Sequence, residues 1–323
     1  MNKKILVTGA SGFVGRNLVG ELRARGCRSI LCPSSSELNL TIQDQVARYF
    51  DRHRPQIVLH LAGLVGGIGV NKSRPAEFFY ENAMMSILLN HFCYKSGVEK
   101  LVSLAAGCGY PKNIPVPFTE DDFWNGFPDE NSYGYSLAKK NLIVGAWAYK
   151  EQYNFPHTVL IPANLYGPHD NFNLETSHVV PALIRKFIEA SKQNLSEVEV
   201  WGTGSATREF LYVDDTVKAI IDAIYCPDVG PFNLGTGVET PVVELVEIIS
   251  RLTNFRGKIK WDKSRPDGQP RRFYDMSKFK ESFGYVPHTT LEEGLSKTIQ
   301  WYKETDYESA SNRGRWIDWI SSR

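Results

Sequence analysis

The first fifteen residues constrain the fold more than any other part of the chain. Ile5-Leu6-Val7-Thr8 is a short β-rich run, and Gly9-Ala10-Ser11-Gly12-Phe13-Val14-Gly15 follows it without a gap. Glycines placed directly after a strand and opening a helical pattern make a turn over which a pyrophosphate can rest. Gly9 permits the sharp turn, and Gly12 lets backbone N–H groups come close. Gly15 lets the helix pack near the strand, its positive end toward the phosphates. The spacing is GxxGxxG and not GxGxxG, so the position of the glycines counts for more than their number.

Further β-rich runs at 29–32, 56–61, 101–104 and 158–161 alternate with stretches whose apolar residues recur every three or four positions, as at 14–22 and 76–94. This alternation predicts an α/β fold, a Rossmann-type doubly wound parallel sheet with helices on both faces. Beyond about Asn164 the pattern loosens. Tyr166-Gly167-Pro168-His169-Asp170-Asn171-Phe172 reads as loop, and helical patterns at 180–190, 214–225, 241–252 and 291–302 mix with short strands near Val200 and Phe232. The expected division is a dinucleotide-binding domain over 1–165, with a return segment at about 212–235. A smaller α/β substrate-binding region over 166–211 and 236–323 would close over the strand ends. The stretch from about Asp306, with Trp316 and Trp319, reads equally as a docked helix or a tail.

Composition narrows the function class. Over 323 residues, 37 basic side chains stand against 36 acidic ones, a net charge of +1. That balance argues against a partner of nucleic acid or a membrane surface, which select for basic excess. The five cysteines (Cys27, Cys32, Cys93, Cys108, Cys226) are scattered with no CxxC pair, so neither a disulfide framework nor a metal site is expected. Met1-Asn2-Lys3-Lys4 precedes an apolar run too short for a signal peptide, and no stretch reaches the roughly 20 apolar residues of a membrane span. The chain reads as cytoplasmic.

Chemistry enters at Tyr135-Ser136-Leu137-Ala138-Lys139, a YxxxK pair one helical turn apart and so on one face. The ammonium can hold a nicotinamide ribose and lower the phenol's pKa, and the phenol can exchange a proton with a carbinol or carbonyl oxygen. The choice between NAD and NADP stays open. At the end of the second strand, Cys32-Pro33-Ser34-Ser35-Ser36-Glu37 offers hydroxyls that suit either a free ribose hydroxyl or a 2′-phosphate.

With both motifs in view, the chain resembles the extended short-chain dehydrogenase/reductases, and within them the GDP-L-fucose synthase family, GDP-4-keto-6-deoxymannose 3,5-epimerase/4-reductases. The resemblance runs from about residue 3 to residue 300. Its markers are Leu64-Val65-Gly66-Gly67-Ile68, Cys108-Gly109-Tyr110-Pro111-Lys112, Asn171-Phe172 with Ser177-His178-Val179-Val180-Pro181-Ala182-Leu183, Trp201-Gly202 with Arg208-Glu209-Phe210, and Arg265-Pro266-Asp267-Gly268-Gln269-Pro270-Arg271.

The resemblance implies a nucleotide-sugar epimerase/reductase using NADP, NAD not being excluded, on a GDP-linked 4-keto-6-deoxy sugar. Cys108 would remove a proton α to the C4 ketone, His178 would return one from the other face, and Tyr135 with Lys139 would serve the reduction. The cofactor would run along Gly9, Ser11, Gly12, Phe13, Val14, Gly15, Asn39, Leu40, Leu61, Ala62, Lys139, Asn164 and His178, and the substrate would meet Lys186, Trp201, Arg208 and Asp267. Lys186 stands where the family usually has Arg, keeping the charge without the bidentate fork. A homodimer through the YxxxK helix is also implied. One departure matters: the family places Ser or Thr two residues before the cysteine, and here that residue is Ala106, followed by Gly107. Two rival readings follow from the residues. One is an epimerase with no net redox, and the other is a cofactor-sensing binding protein on a reductase fold.

Overall fold

The computed structural model describes residues 3–305 except Pro266; the stretch from Asp306, with Trp316 and Trp319, lies outside the described residues. The N-terminal half alternates as the sequence pattern predicts: β1 (Ile5–Thr8), α1 (Phe13–Ala24), β2 (Ile30–Leu31), α2 (Gln43–His53), β3 (Ile57–His60), α3 (Ile68–Ser73), α4 (Pro75–Lys95), β4 (Lys100–Leu104), α5 (Tyr133–Tyr153) and β5 (His157–Pro162). There follow β6 (Asn164–Tyr166), α6 (Val179–Lys192), β7 (Glu197–Trp201), β8 (Thr207–Arg208), β9 (Phe210–Tyr212), α7 (Val213–Ala223), β10 (Phe232–Leu234), β11 (Thr240–Pro241), α8 (Val242–Leu252), β12 (Lys258–Asp262), α9 (Ser277–Phe283) and α10 (Leu291–Glu304).

The central sheet has six strands in the order β10-β5-β4-β3-β1-β2, and every pairing in it is parallel. Strands β1, β3, β4 and β5 are buried on both faces, which is why they read as unbroken apolar runs rather than alternating ones. The order reverses between β1 and β3, where Ile5 pairs Ile57 and Thr8 pairs His60. In open sheets of this kind the crevice beyond the carboxyl ends, at such a reversal, receives the ligand. β10 reaches back from the second half of the chain to pair β5. The remaining strands form three small two-stranded sheets, β12 with β7, β11 with β8 and β6 with β9.

The helices cover the sheet with their apolar stripes. α1 buries Leu18, Val19 and Leu22 at the spacing of one helical face. α2 is barely legible in the sequence, because of its eleven residues only Val46 and Phe50 are buried. One core cluster joins β1, β5, α6, α7, α8 and α10; a second, around Phe50, Val58, Leu89 and Leu101, lies on the other side of the sheet.

Candidate active site

The glycine turn is built as the sequence implies. Gly9 has φ +71°, and a Cβ there would lie 2.7 Å from the Ala62 nitrogen, so the close approach of Leu61 and Ala62 as well as the backbone conformation requires glycine. A Cβ on Gly15 would overlap the Gly9 carbonyl oxygen. The Gly12 N–H donates to that same oxygen at 3.0 Å. Gly12 caps α1 without any side-chain hydrogen bond, so no capping side chain takes up the first N–H groups of the helix, from Phe13 onward. Such a bare, positively polarised terminus fits the pyrophosphate of a dinucleotide.

The remaining expected cofactor positions divide. Ser11, exposed, accepts from Arg16 Nε through its carbonyl at 2.9 Å. The Asn39 carboxamide oxygen accepts from the Thr41 N–H and hydroxyl, and Leu40 is buried in the second core cluster. The exposed Asn164 donates to the Glu209 carbonyl at 2.9 Å. In the serine-rich turn, Glu37 accepts from the Ser34 N–H and hydroxyl, each at 2.8 Å, and those bonds hold its carboxyl below the usual range.

Tyr135 and Lys139 sit in the first two turns of α5. The Lys139 ammonium donates to the Leu104 carbonyl at the end of β4, at 3.0 Å, and stands 5.7 Å from the centre of the Tyr135 ring. Burial lowers its pKa to about 8, against a pull upward from Cys108. The expected lowering of the phenol's pKa is corrected by the structure. Burial pushes Tyr135 up and Cys108 adds to the rise, with the ammonium 5.7 Å from the ring centre. Tyr135 is therefore held as the neutral phenol, the form that donates a proton.

Cys108 lies in the single 3₁₀ turn Gly107–Gly109 that follows β4. Burial raises its pKa, while the Ser136 hydroxyl and the charges of Arg272 and Lys139 pull it back down. The Ser136 hydroxyl also donates to the Cys108 carbonyl at 3.0 Å, fixing the turn on α5. Cys108, Tyr135 and Lys139 thus form one cluster, mutually sensed through their charges. Ser103 cannot stand in for the hydroxyl missing at Ala106: it is buried and paired with His157 Nε2 at 2.9 Å.

His178 stands at the N-cap of α6, where desolvation lowers its pKa and favours the neutral ring. No hydrogen bond joins it to Cys108 or Tyr135 among the described residues. Lys186 and Trp201 meet, the ammonium 5.4 Å from the ring centre, with Arg265 on the same ring at 4.9 Å. Trp201 is 59% exposed, an open aromatic surface flanked by two cations. Arg208 donates to the carbonyls of Thr207 and Gln269, and burial followed by the charge of Arg272 lowers its pKa. The Asp267 carboxylate is engaged within the protein, accepting from the Thr203 N–H at 2.6 Å and hydroxyl at 2.7 Å.

Sequence reasoning passed over three residues of this cluster. Ser136 lies inside the YxxxK motif itself; Arg272 and Tyr274 come just after the Asp267–Arg271 motif and carry no local signal. Their role is visible only where the chain returns beside Gly107.

Residues 5–235 match the model of the NAD dependent epimerase/dehydratase family. The chain is 39% identical over 300 residues to GDP-L-fucose synthase 1 of Arabidopsis thaliana, covering 93% of each protein. Among solved structures, a GDP-D-glycero-L-gluco-heptose synthase from Campylobacter jejuni, in the presence of NADPH, superposes with a TM-score of 0.88 at 28% identity, covering 94% of this chain and 98% of that one. A GDP-L-fucose synthetase from Naegleria fowleri bound to NADP gives 0.86 at 29% identity, with 96% of both chains covered.

Proposed function

Because this chain belongs to the NAD dependent epimerase/dehydratase family, in its GDP-L-fucose synthase branch, we propose that it epimerises and reduces a GDP-linked 4-keto-6-deoxy sugar with NADPH. The observation that carries the reading is the cluster of Cys108, Tyr135 and Lys139 at the carboxyl end of β4, in the same sheet as the glycine turn after β1.

Each residue has a role its surroundings support. A ketone at C4 acidifies the hydrogens on C3 and C5, so a thiolate at Cys108 can take one and neutral His178, once protonated, can return one from the opposite face. The bare terminus of α1 holds the dinucleotide's pyrophosphate, and the Lys139 ammonium holds the ribose next to the nicotinamide. Bound there, the reduced dinucleotide supplies the hydride. Tyr135, kept neutral by burial, gives its proton to the C4 oxygen. Lys186 and Arg208 offer positive charge to the diphosphate, Trp201 a face to a sugar or base, and Asp267 holds the turn at Thr203 that follows Trp201.

On this reading residues 1–165, with 212–235, bind the dinucleotide, while 166–211 and 236–323 bind the sugar nucleotide. The working unit is a homodimer in the cytoplasm. The outer faces of α4 and α5 expose Phe79, Tyr80, Ile87 and Val144, an apolar surface for that pairing. No helix of the described residues is long and apolar enough to cross a membrane.

Incubation with GDP-4-keto-6-deoxymannose and NADPH tests the reading. Stoichiometric loss of NADPH absorbance, with solvent deuterium entering C3 and C5 of the product, is expected. Deuterium entry with no NADPH consumed would assign an epimerase without net redox, and neither would leave a binding protein.

A further inference from the structure

Residue 106 is alanine and residue 107 glycine, so the end of β4 presents no side-chain donor to a reacting carbonyl. The space that a side chain at 107 would need is nevertheless filled. A Cβ on Gly107 would overlap the Tyr274 hydroxyl and lie 3.1 Å from an Arg272 nitrogen. A phenol and a guanidinium from a distant part of the chain therefore occupy the position next to Cys108.

They are held there by design of the fold. Tyr274 is 3% exposed and bridges Phe118, while its N–H donates to the Glu209 carboxylate at 2.9 Å. The other oxygen of that carboxylate takes the N–H groups of Thr236 at 2.5 Å and Gly237 at 2.6 Å. The Tyr274 hydroxyl donates at 3.3 Å to the Pro162 carbonyl at the end of β5 and is hydrogen-bonded by Arg272. A bond of that length is readily exchanged for a better acceptor. Arg272 lies against this hydroxyl, and its charge acts on both Tyr274 and Cys108. Among the described residues, the groups that act on Cys108 are Tyr135, Ser136 and Lys139 from α5 and Arg272 and Tyr274 from the 272–274 segment, and none of these is a carboxylate.

We propose that Arg272 and Tyr274 supply the anion stabilisation that Ala106 and Gly107 do not, the Tyr274 hydroxyl donating to the substrate's carbonyl oxygen and the Arg272 guanidinium supporting both that oxygen and the Cys108 thiolate. This rests on the keto-sugar reading above. In the proton-transfer step the C–H bond α to the ketone breaks and the proton passes to the Cys108 sulfur. The electron pair forms the enolate, whose charge settles on the C4 oxygen. Return of a proton from His178 to carbon restores the ketone. Tyr274 is then a catalytic residue, and Arg272 supports the oxygen through Tyr274 and the thiolate through its charge on Cys108.

The experiment has a sugar-free arm and a kinetic arm. Alkylation of Cys108 by iodoacetamide is followed against pH, peptide by peptide in a mass spectrometer, so that the exposed Cys32 is read separately. Arg272→Gln is expected to slow Cys108 alkylation at pH 7 by about tenfold, equivalent to a rise of about one pKa unit, with Arg272→Lys restoring most of the rate. With GDP-4-keto-6-deoxymannose, Tyr274→Phe is expected to cut kcat by about ten- to a hundredfold. KM should change little, and deuterium entry at C3 and C5 should slow in parallel. Adding Ala106→Ser should then help the Tyr274→Phe variant far more than it helps the wild type. A Cys108 alkylation profile that ignores Arg272→Gln overturns the inference, as does full kcat in Tyr274→Phe. A wild type that never turns over the keto sugar counts against the reaction assigned above, while the alkylation arm still decides the placement of the pair.

Discussion

A phenol that must deliver a proton and a thiol that must accept one make opposite demands on their surroundings, and here they share one cluster. Burial raises the pKa of both. For Tyr135 this preserves the donor form. For Cys108 it opposes the base form, which is why the Ser136 hydroxyl and the Arg272 and Lys139 charges around the sulfur matter. Tyr135→Phe is expected to lower kcat by about 10²- to 10⁴-fold, with cofactor affinity, read by fluorescence titration, nearly unchanged. Cys108→Ala should abolish deuterium entry into the sugar carbons while leaving that affinity intact. If Cys108→Ala still exchanges those hydrogens at the wild-type rate, the base lies elsewhere. Tyr135 and Lys139 were legible at this scale because their spacing carries the chemistry. Arg272 and Tyr274 were not, since the Gly107 they pack against lies far earlier in the chain and no local spacing links them.

At the scale of elements, the glycine turn joins backbone shape to ligand. Gly15 is packed on the Gly9 carbonyl and Gly9 on the Leu61–Ala62 backbone, so β1, the start of α1 and the end of β3 touch without side chains between them. Gly15→Ala should push α1 off that turn. The expected result is a cofactor affinity at least tenfold weaker and a stability loss of about 1–3 kcal/mol, the usual cost of overpacking, measured by titration and by urea unfolding. Wild-type affinity in Gly15→Ala would mean that the turn is slack and the bare helix terminus alone holds the phosphates. The strands and the strongly amphipathic helices were readable because burial on one or both faces writes itself as period or as an unbroken apolar run. α2 was not, because two buried side chains make no stripe. The serine-rich turn at 34–37 also gave no decision, and in the structure its first serine is occupied by Glu37.

The whole molecule carries buried ionisable groups whose pH responses oppose one another. Asp170, with one carboxyl oxygen lacking a partner among the described residues, is raised to about 7 by burial, and Glu209 to about 6. Both favour the folded state when protonated, so their stabilisation is full below pH 4 and lost as pH rises through about 7 and about 6. His157 is lowered to about 3 by burial; its stabilisation is full above pH 6.5 and lost as pH falls through about 3. Asp170→Asn removes one of the falling contributions. Its stability relative to the wild type should therefore grow between pH 4 and pH 8, by on the order of 1–4 kcal/mol at about 1.4 kcal/mol per pKa unit. Denaturant unfolding at the two pH values measures this, and an equal difference at both would mean that Asp170 titrates normally. Assembly is tested at the same scale. Ile87→Glu on the outer face of α4 should shift sedimentation from dimer to monomer, and a wild type that sediments as a monomer would remove that face as an interface.

The glycine turn and the YxxxK pair were determined by the sequence alone, because each is a local device: a turn that only glycine can make and two side chains one helical turn apart. The parallel sheet was likewise written in the run of buried strands. What only the tertiary structure decided is the electrostatic character of the site. Whether Tyr135 is pushed up or down, and what occupies the space beside Gly107, depends on burial and on the return of Arg272 and Tyr274 to the end of β4. Desolvation and charge act through space, and a sequence records only order along the chain.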